Sequence, residues 1–289
     1  MPFLENIRPF KTADLTGFVP VLACGLEIGH TKADFAKTIS NFDTTWRLTA
    51  AGLELSQELK TFDDRTKAVD RTFETLSAAG ILPVMPDYTL TGGSIDWVSA
   101  FPNKSFDALF TLKRFYFVYL GLQTYSIMLN GFTKTDYWSG TRSMNVHNNA
   151  GKMDVIAAGM LRHGETVQEA LIHESYEEAG LLLEDLSGVT MNGQIDLSLV
   201  NKEGFLLRES FHVFDLDLKD KSPVVVSPNE VEKFTLLKID AVLKYAEAGD
   251  VFSKPVNLVI TDFLIRHGHL TAAHPEFEQI KEILYRPTI

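Results

Sequence analysis

Three glutamates, Glu174, Glu177 and Glu178, follow one another at i, i+3 and i+4. That spacing stacks their side chains on one face of a helix. Thr166 and Glu169 stand in the T-x-x-E order of a capping box, so a helix is expected to begin at Val167. Gly180 is placed to end it at the C′ position. Ile172, Tyr176 and Ala179 share one face of this helix, and the three carboxylates lie roughly opposite. Like charges so arranged repel. As a solvated surface, water and salt screen the repulsion at little cost. As a site, clustered carboxylate oxygens are the ligands that a hard divalent cation prefers, magnesium or manganese. The charge pattern alone favours the solvated face.

The surrounding spacing shifts that balance. From Gly159 to Leu181 the chain reads G-x5-E-x7-H-E-S-x-E-E-x-G-L. This closely resembles the Nudix box, G-x5-E-x7-R-E-U-x-E-E-x-G-U, in which U is apolar. Gly159, Glu165, Glu174, Glu177, Glu178, Gly180 and Leu181 match; His173 stands in place of the arginine and Ser175 in place of the apolar residue. The resemblance implies an α/β/α sandwich with a mixed sheet. It also implies magnesium- or manganese-dependent hydrolysis of a diphosphate linked to another moiety. By the same resemblance Glu174, Glu177 and Glu178 bind the metal with help from the Gly159 carbonyl. Gly159, Glu165, His173 and Gly180 shape the box, with His173 meeting Glu165. The expected chemistry is metal-assisted attack by water, with a glutamate taking the proton. Candidates for that base are Glu178, or Glu230 or Glu232 on a later loop. Arg142, Lys152 and Arg162 are the basic residues expected to meet the phosphates.

A second resemblance covers most of the chain. Asp262-Phe263-Leu264-Ile265-Arg266-His267-Gly268 looks like the C-terminal signature of a thiamine-pyrophosphokinase-related Nudix subfamily, which carries an extra N-terminal domain. Residues 66–80, 121–132, 150–154 and 230–234 resemble its further segments. Departures occur at Val84-Met85-Pro86-Asp87, Ala158-Gly159-Met160 and Met128. The resemblance implies thiamine diphosphate, or an oxidised form of it, as substrate and the monophosphate as product. ADP-ribose or another nucleoside diphosphate derivative is the alternative substrate, and a non-catalytic ligand-binding module the alternative role. An isoprenoid diphosphate isomerase ranks last, because Cys24 lies far from the box. A kinase is not expected, since no GxxxxGK[ST] loop is present.

These residues need elements to position them. A helix is expected over 63–79, where Val69, Phe73 and Leu76 recur at i, i+4 and i+7, Asp63 and Asp64 load the first turn and Gly80 follows. Residues 115–120 suit either strand or buried helix, and Phe115, Tyr119, Tyr125 and Phe132 offer rings to an aromatic substrate. Residues 125–131 read as a strand ending in an Asn-Gly turn. Strands are expected over 196–200 and 210–218, and helices over 239–248 and 256–267. The fold class is α+β, with an N-terminal domain over 1–125 and the Nudix sandwich over 126–289.

The 289 residues, 45% hydrophobic and 22% charged, suffice for one or two packed domains and exclude a disordered chain. Lys+Arg 27 against Asp+Glu 38 leaves a formal charge of −11. So acidic a chain is not expected to bind nucleic acid or an anionic membrane, both polyanions. Its partner is instead a small-molecule diphosphate, and the choice between monomer and homodimer stays open. Cys24, in an apolar run, is expected to be a small buried residue. The N-terminal residues lack a signal-peptide pattern, so a cytoplasmic location is expected.

Overall fold

The structure, a computed structural model, describes residues 3–83, 96–103, 105–146 and 148–288. The departure at 84–87 lies outside the described residues. The chain opens with a short helix, α1 (Phe3–Ile7). A hairpin of β1 (Phe18–Ala23) and β2 (Leu26–Lys32) follows, then α2 (Ala33–Ser40), β3 (Trp46–Leu48) and β4 (Leu53–Leu55). The four strands form one sheet in the order β2-β1-β4-β3. Cys24 is not buried. It is exposed at φ +52° and shares the two-residue β1–β2 turn with Gly25 at φ +76°. A turn with two positive φ values matches the twist of the flanking strands, so the apolar run ends one residue before the cysteine.

Helix α3 (Phe62–Ala78) shares one hydrophobic core with this sheet. Thr61 caps it reciprocally with Asp64, and Val69, Phe73 and Leu76 are fully buried. The hairpin β5 (Trp97–Ala100) and β6 (Phe110–Lys113) completes the same core. Residues 114–120 are helical, ending in α4 (Phe117–Leu120).

The second half is built on a mixed sheet. It contains β7 (Gln123–Phe132), β8 (Asp136–Arg142), β11 (Thr190–Val200), β12 (Leu206–Asp217) and β13 (Val231–Lys238), in the order β11-β12-β7-β8-β13. Short β9 (Met153–Asp154) pairs with β8, and β10 (Ala157–Met160) pairs with β7. The β12–β7 pair is parallel over ten residues, and the other pairs in this sheet are antiparallel. Side chains alternate across the sheet as strand periodicity demands. Ile127, Leu129, Phe214 and Leu216 meet α5 (Val167–Ala179) on one face. Met128, Phe211 and Val213 meet α7 (Lys254–Arg266) on the other, beside α6 (Ile239–Ala248) and α8 (Phe277–Leu284). The fold is α+β with an α/β/α sandwich.

Two features depart from the expectations. Asn130-Gly131 does not turn: β7 runs through it, pairing Asn130 with Asp215 and Gly131 with Leu216. Asn130 is held instead by its side chain, which donates to Asp215 Oδ1 at 2.9 Å and accepts from the Tyr137 hydroxyl at 2.8 Å. Residue 125, the expected boundary, falls inside β7, and α1 packs against α6, α7 and α8. Phe3, Leu4, Ile7 and Phe10 thus belong to the core of the second half.

Candidate active site

The β10–α5 loop carries the Nudix-like spacing. Its turn closes on itself, because the Arg162 N–H donates to Glu165 Oε2 at 3.0 Å. Helix α5 begins where the sequence indicates. The Glu169 N–H donates to the Thr166 hydroxyl at 3.2 Å, and Glu169 Oε2 accepts from the Thr166 N–H at 2.8 Å. Gly180 closes the helix at φ +64°, a conformation that glycine adopts without strain. His173 meets Glu165, with Nδ1 3.4 Å from Oε1, and also touches Glu177, with Nε2 2.8 Å from Oε1.

The helix is turned differently from the expected amphipathic reading. Tyr176 is 53% exposed, and the covered positions are Ala170, Leu171, Ser175 and Ala179. That rotation carries two of the three glutamates onto β10 instead of into solvent. Glu178 Oε2 accepts the Ala158 N–H at 2.8 Å. Glu174 lies against Gly159 so closely that a Cβ there would stand 1.9 Å from Oε1. Only glycine leaves that space. The Glu177 side chain remains half exposed.

Electrostatics follow from this placement. Burial pushes the Glu174 carboxyl up to about 7, against the pull of His173 and Arg162 and with the aid of Glu177 and Glu230. Burial pushes Glu178 well above the carboxylate range, and the Glu174 charge pushes it further. The Ala158 N–H opposes this, while Asp154 and Glu230 add to it. Among the described residues neither Glu174 nor Glu178 has an ion-pair partner. A covered, like-charged pair without a cation is costly when ionised.

Among the described residues, no three His, Cys, Asp or Glu side chains converge closely enough to hold a metal as they stand. Glu177 is engaged by His173, and Glu178 by the β10 backbone. The donor chemistry nonetheless fits a hard divalent cation. The pair itself offers oxygen ligands, and neither carboxylate has an ion-pair partner among the described residues. Glu174, Glu178 and, after release from His173, Glu177 are the residues that would hold it.

The remaining candidates divide. Arg162 stays at the box, 3.1 Å from Asp96 Oδ1 and 4.0 Å from Glu177 Oε2. Arg142 is drawn to Asp154 at 3.1 Å, where it offsets a buried carboxyl that desolvation raises. Lys152 donates to the Asp250 carbonyl at the surface. Neither of these two stands as a free phosphate ligand. Glu232 is exposed and lies at the irregularity between Val231 and Lys233, whereas Glu230 is close enough for its charge to act on both Glu174 and Glu178. Asp154 is the acidic neighbour that the box spacing misses. Only the segment 150–154, similar to P-G-K-L-D, signals it.

Residues 129–255 match the family model described as the NUDIX domain, and residues 2–89 match one described as a domain of unknown function (DUF4743). Residues 129–255 carry a NUDIX domain. The enzymes of this class hydrolyse phosphorus anhydrides. The chain is 28% identical to "Nudix hydrolase 24, chloroplastic" of Arabidopsis thaliana, over 94% of its own length and 80% of the relative's. It is 25% identical to "Nudix hydrolase 20, chloroplastic" of the same plant, over 93% and 73%. Among solved structures it resembles the MutT protein of Methanosarcina mazei Go1 with a TM-score of 0.38 and 18% identity, over 50% of this chain and 95% of that one. In this Nudix domain Ser175 is fully buried and its hydroxyl has no partner among the described residues. An apolar residue there would avoid a desolvation penalty of roughly 1–3 kcal/mol. Among the described residues no helix is long and apolar enough to cross a membrane.

Proposed function

We propose that the chain hydrolyses a small organic diphosphate with the help of magnesium or manganese bound at Glu174, Glu177 and Glu178. The observation that carries this reading is the covered carboxylate pair Glu174 and Glu178, without an ion-pair partner among the described residues, on a helix with Nudix spacing. A divalent cation there supplies charge neutralisation for the phosphates and lowers the pKa of bound water. The chain does the rest. Ala158 and Gly159 hold Glu178 and Glu174 in place through the β10 backbone. Glu178, with a carboxyl pushed up by its surroundings, takes the proton from the attacking water. Glu230 is the downstream carboxylate close enough to share that task, in preference to Glu232. Arg162, tethered by Asp96, faces the developing phosphate charge.

For the substrate we favour thiamine diphosphate or its oxidised analogues, cleaved to the monophosphate, on the resemblance that runs from Gly151 to the C-terminus. The subfamily with the thiamine-pyrophosphokinase label stays part of this proposal, as does a cytoplasmic location; two relatives are chloroplastic by name. The test is a phosphate-release screen with magnesium over thiamine diphosphate, its oxidised analogues, ADP-ribose, dinucleotides and nucleoside diphosphates. A kcat/KM that favours ADP-ribose over every thiamine analogue overturns the substrate. No release from any compound, or undiminished release in excess chelator, overturns the hydrolase mechanism.

A further inference from the structure

Between the β5–β6 hairpin and the β10–α5 loop lies a cavity of about 430 Å³. The loop that forms one wall, from Leu161 to Val167, is the same loop that precedes the box glutamates. The opposite wall is aromatic. Phe101, Phe106 and Tyr125 stand with ring centroids 5.4–6.0 Å apart. Phe106 is 72% exposed, although it belongs to this cluster. An aromatic ring kept in water at the mouth of a cavity is a surface suited to a second ring.

The cavity floor is polar. Gln123 donates its amide N–H groups to the Thr124 carbonyl at 2.9 Å and the Ser210 hydroxyl at 3.2 Å, which leaves its side-chain oxygen as an acceptor. His212 also lines the cavity. The Gln194 amide nitrogen stands 3.4 Å from its Nε2, and its Nδ1 is buried without a partner among the described residues. Burial lowers the His212 pKa, and its ring packs beside Tyr125 with centroids 6.1 Å apart as part of the cavity floor. An acceptor oxygen beside aromatic rings complements the amino group of an amino-substituted heterocycle.

We propose that this cavity is the specificity pocket for a flat amino-heteroaromatic group, stacked by Phe106 and Tyr125 and held at its amino group by the Gln123 oxygen. This rests on the diphosphatase reading for the position of the phosphates. The substituted aminopyrimidine of thiamine and the adenine of a nucleotide both carry the required amino group.

The test uses monophosphates and methyl phosphate, none of which has a diphosphate to cleave, so it does not depend on turnover. Binding of thiamine monophosphate, AMP and methyl phosphate to the full chain is measured by calorimetry. At least one ring-bearing compound is expected to bind more tightly than methyl phosphate by about tenfold or more, the ratio one stacked ring supplies. Phe106→Ala is expected to erase that preference and Phe106→Trp to keep it, with methyl phosphate unchanged in both. Because Phe106 is exposed, neither variant disturbs the core. Which compound wins assigns the heterocycle. Equal binding of all three compounds, or a preference that survives Phe106→Ala, overturns the pocket. An inactive wild type in the phosphate-release screen overturns the hydrolase reading and leaves this binding result intact.

Discussion

Glu178 and Glu177 look interchangeable in the sequence and differ in the fold. Glu178→Gln removes a covered carboxyl without an ion-pair partner among the described residues, and Glu177→Gln removes a half-exposed one. Both are expected to lower turnover by about two or more orders of magnitude, the scale seen when a transition-state charge partner is lost. Only Glu178→Gln is expected to raise the melting temperature of the metal-free protein at pH 7.5. Full activity in both variants contradicts the ligand assignment. A pH dependence follows from the same burial. Folding raises the Glu174 pKa from 4.5 to about 7 and carries Glu178 well above 4.5. Between those values the folded state holds more protons than the unfolded one, so stability falls as pH rises from about 4.5 through 7. Metal-free protein is therefore expected to melt lower at pH 7.5 than at pH 5.5 through this site, and magnesium to restore the loss at pH 7.5. Glu178→Gln is expected to flatten both responses. A wild-type transition that millimolar magnesium leaves unmoved speaks against the site.

At the scale of elements, α5 carries the box only because its ends are fixed. Thr166→Ala removes the reciprocal cap with Glu169 and is expected to cost about 1 kcal/mol. In a chain this large that lowers the melting temperature by roughly 2–4 °C. A thermal scan that detects no change means the cap contributes nothing. Gly159→Ala acts on β10 instead. Its Cβ would overlap the Glu174 carboxyl, so Glu174 must leave its position or the strand must shift. Activity is expected to fall as far as in Glu178→Gln while far-UV circular dichroism stays native; near wild-type turnover excludes close packing of Glu174 on Gly159. Both ends of α5 and of α3 were legible, because caps and stops are local chemistry. The buried face of α5 was not. Docking on β10 selects Ser175 over Tyr176, and that choice depends on a strand outside the helix.

For the whole molecule the two halves are interlocked. Arg162 of the box loop reaches Asp96, and His163 Nδ1 lies 2.9 Å from the Ser99 hydroxyl. Phe3, Leu4, Ile7 and Phe10 fill the core beneath α6, α7 and α8. Burying four such side chains is worth on the order of 6–12 kcal/mol at about 1.5–3 each, comparable to the net stability of a domain. A chain that starts at Leu122 keeps the whole mixed sheet yet loses these residues and two of the three rings of the cavity wall, Phe101 and Phe106. It is expected to lack a cooperative thermal transition. A truncated chain that melts cooperatively within a few degrees of the full protein shows that α1 is dispensable. A start near Tyr137 is worse, since it removes β7 from the middle of the sheet.

The sequence by itself determined the chemistry that short-range spacing can encode. It carried the box from Gly159 to Leu181, the capped helix within it and helices expected over 63–79 and 239–248, while the resemblance to the Nudix box implied the pairing of His173 with Glu165. All of these fall within twenty-three consecutive residues, or rest on periodicity within one element. Tertiary structure alone decided which glutamates are covered, that Arg142 serves Asp154, and that Glu230 comes nearer than Glu232 to the box. It also moved Tyr119 and Phe132 into core packing and left Tyr125 beside Phe101 and Phe106 at the cavity. Those outcomes bring together strands distant along the chain. Burial and local charge, which set every pKa shift in the site, exist only once these strands have met.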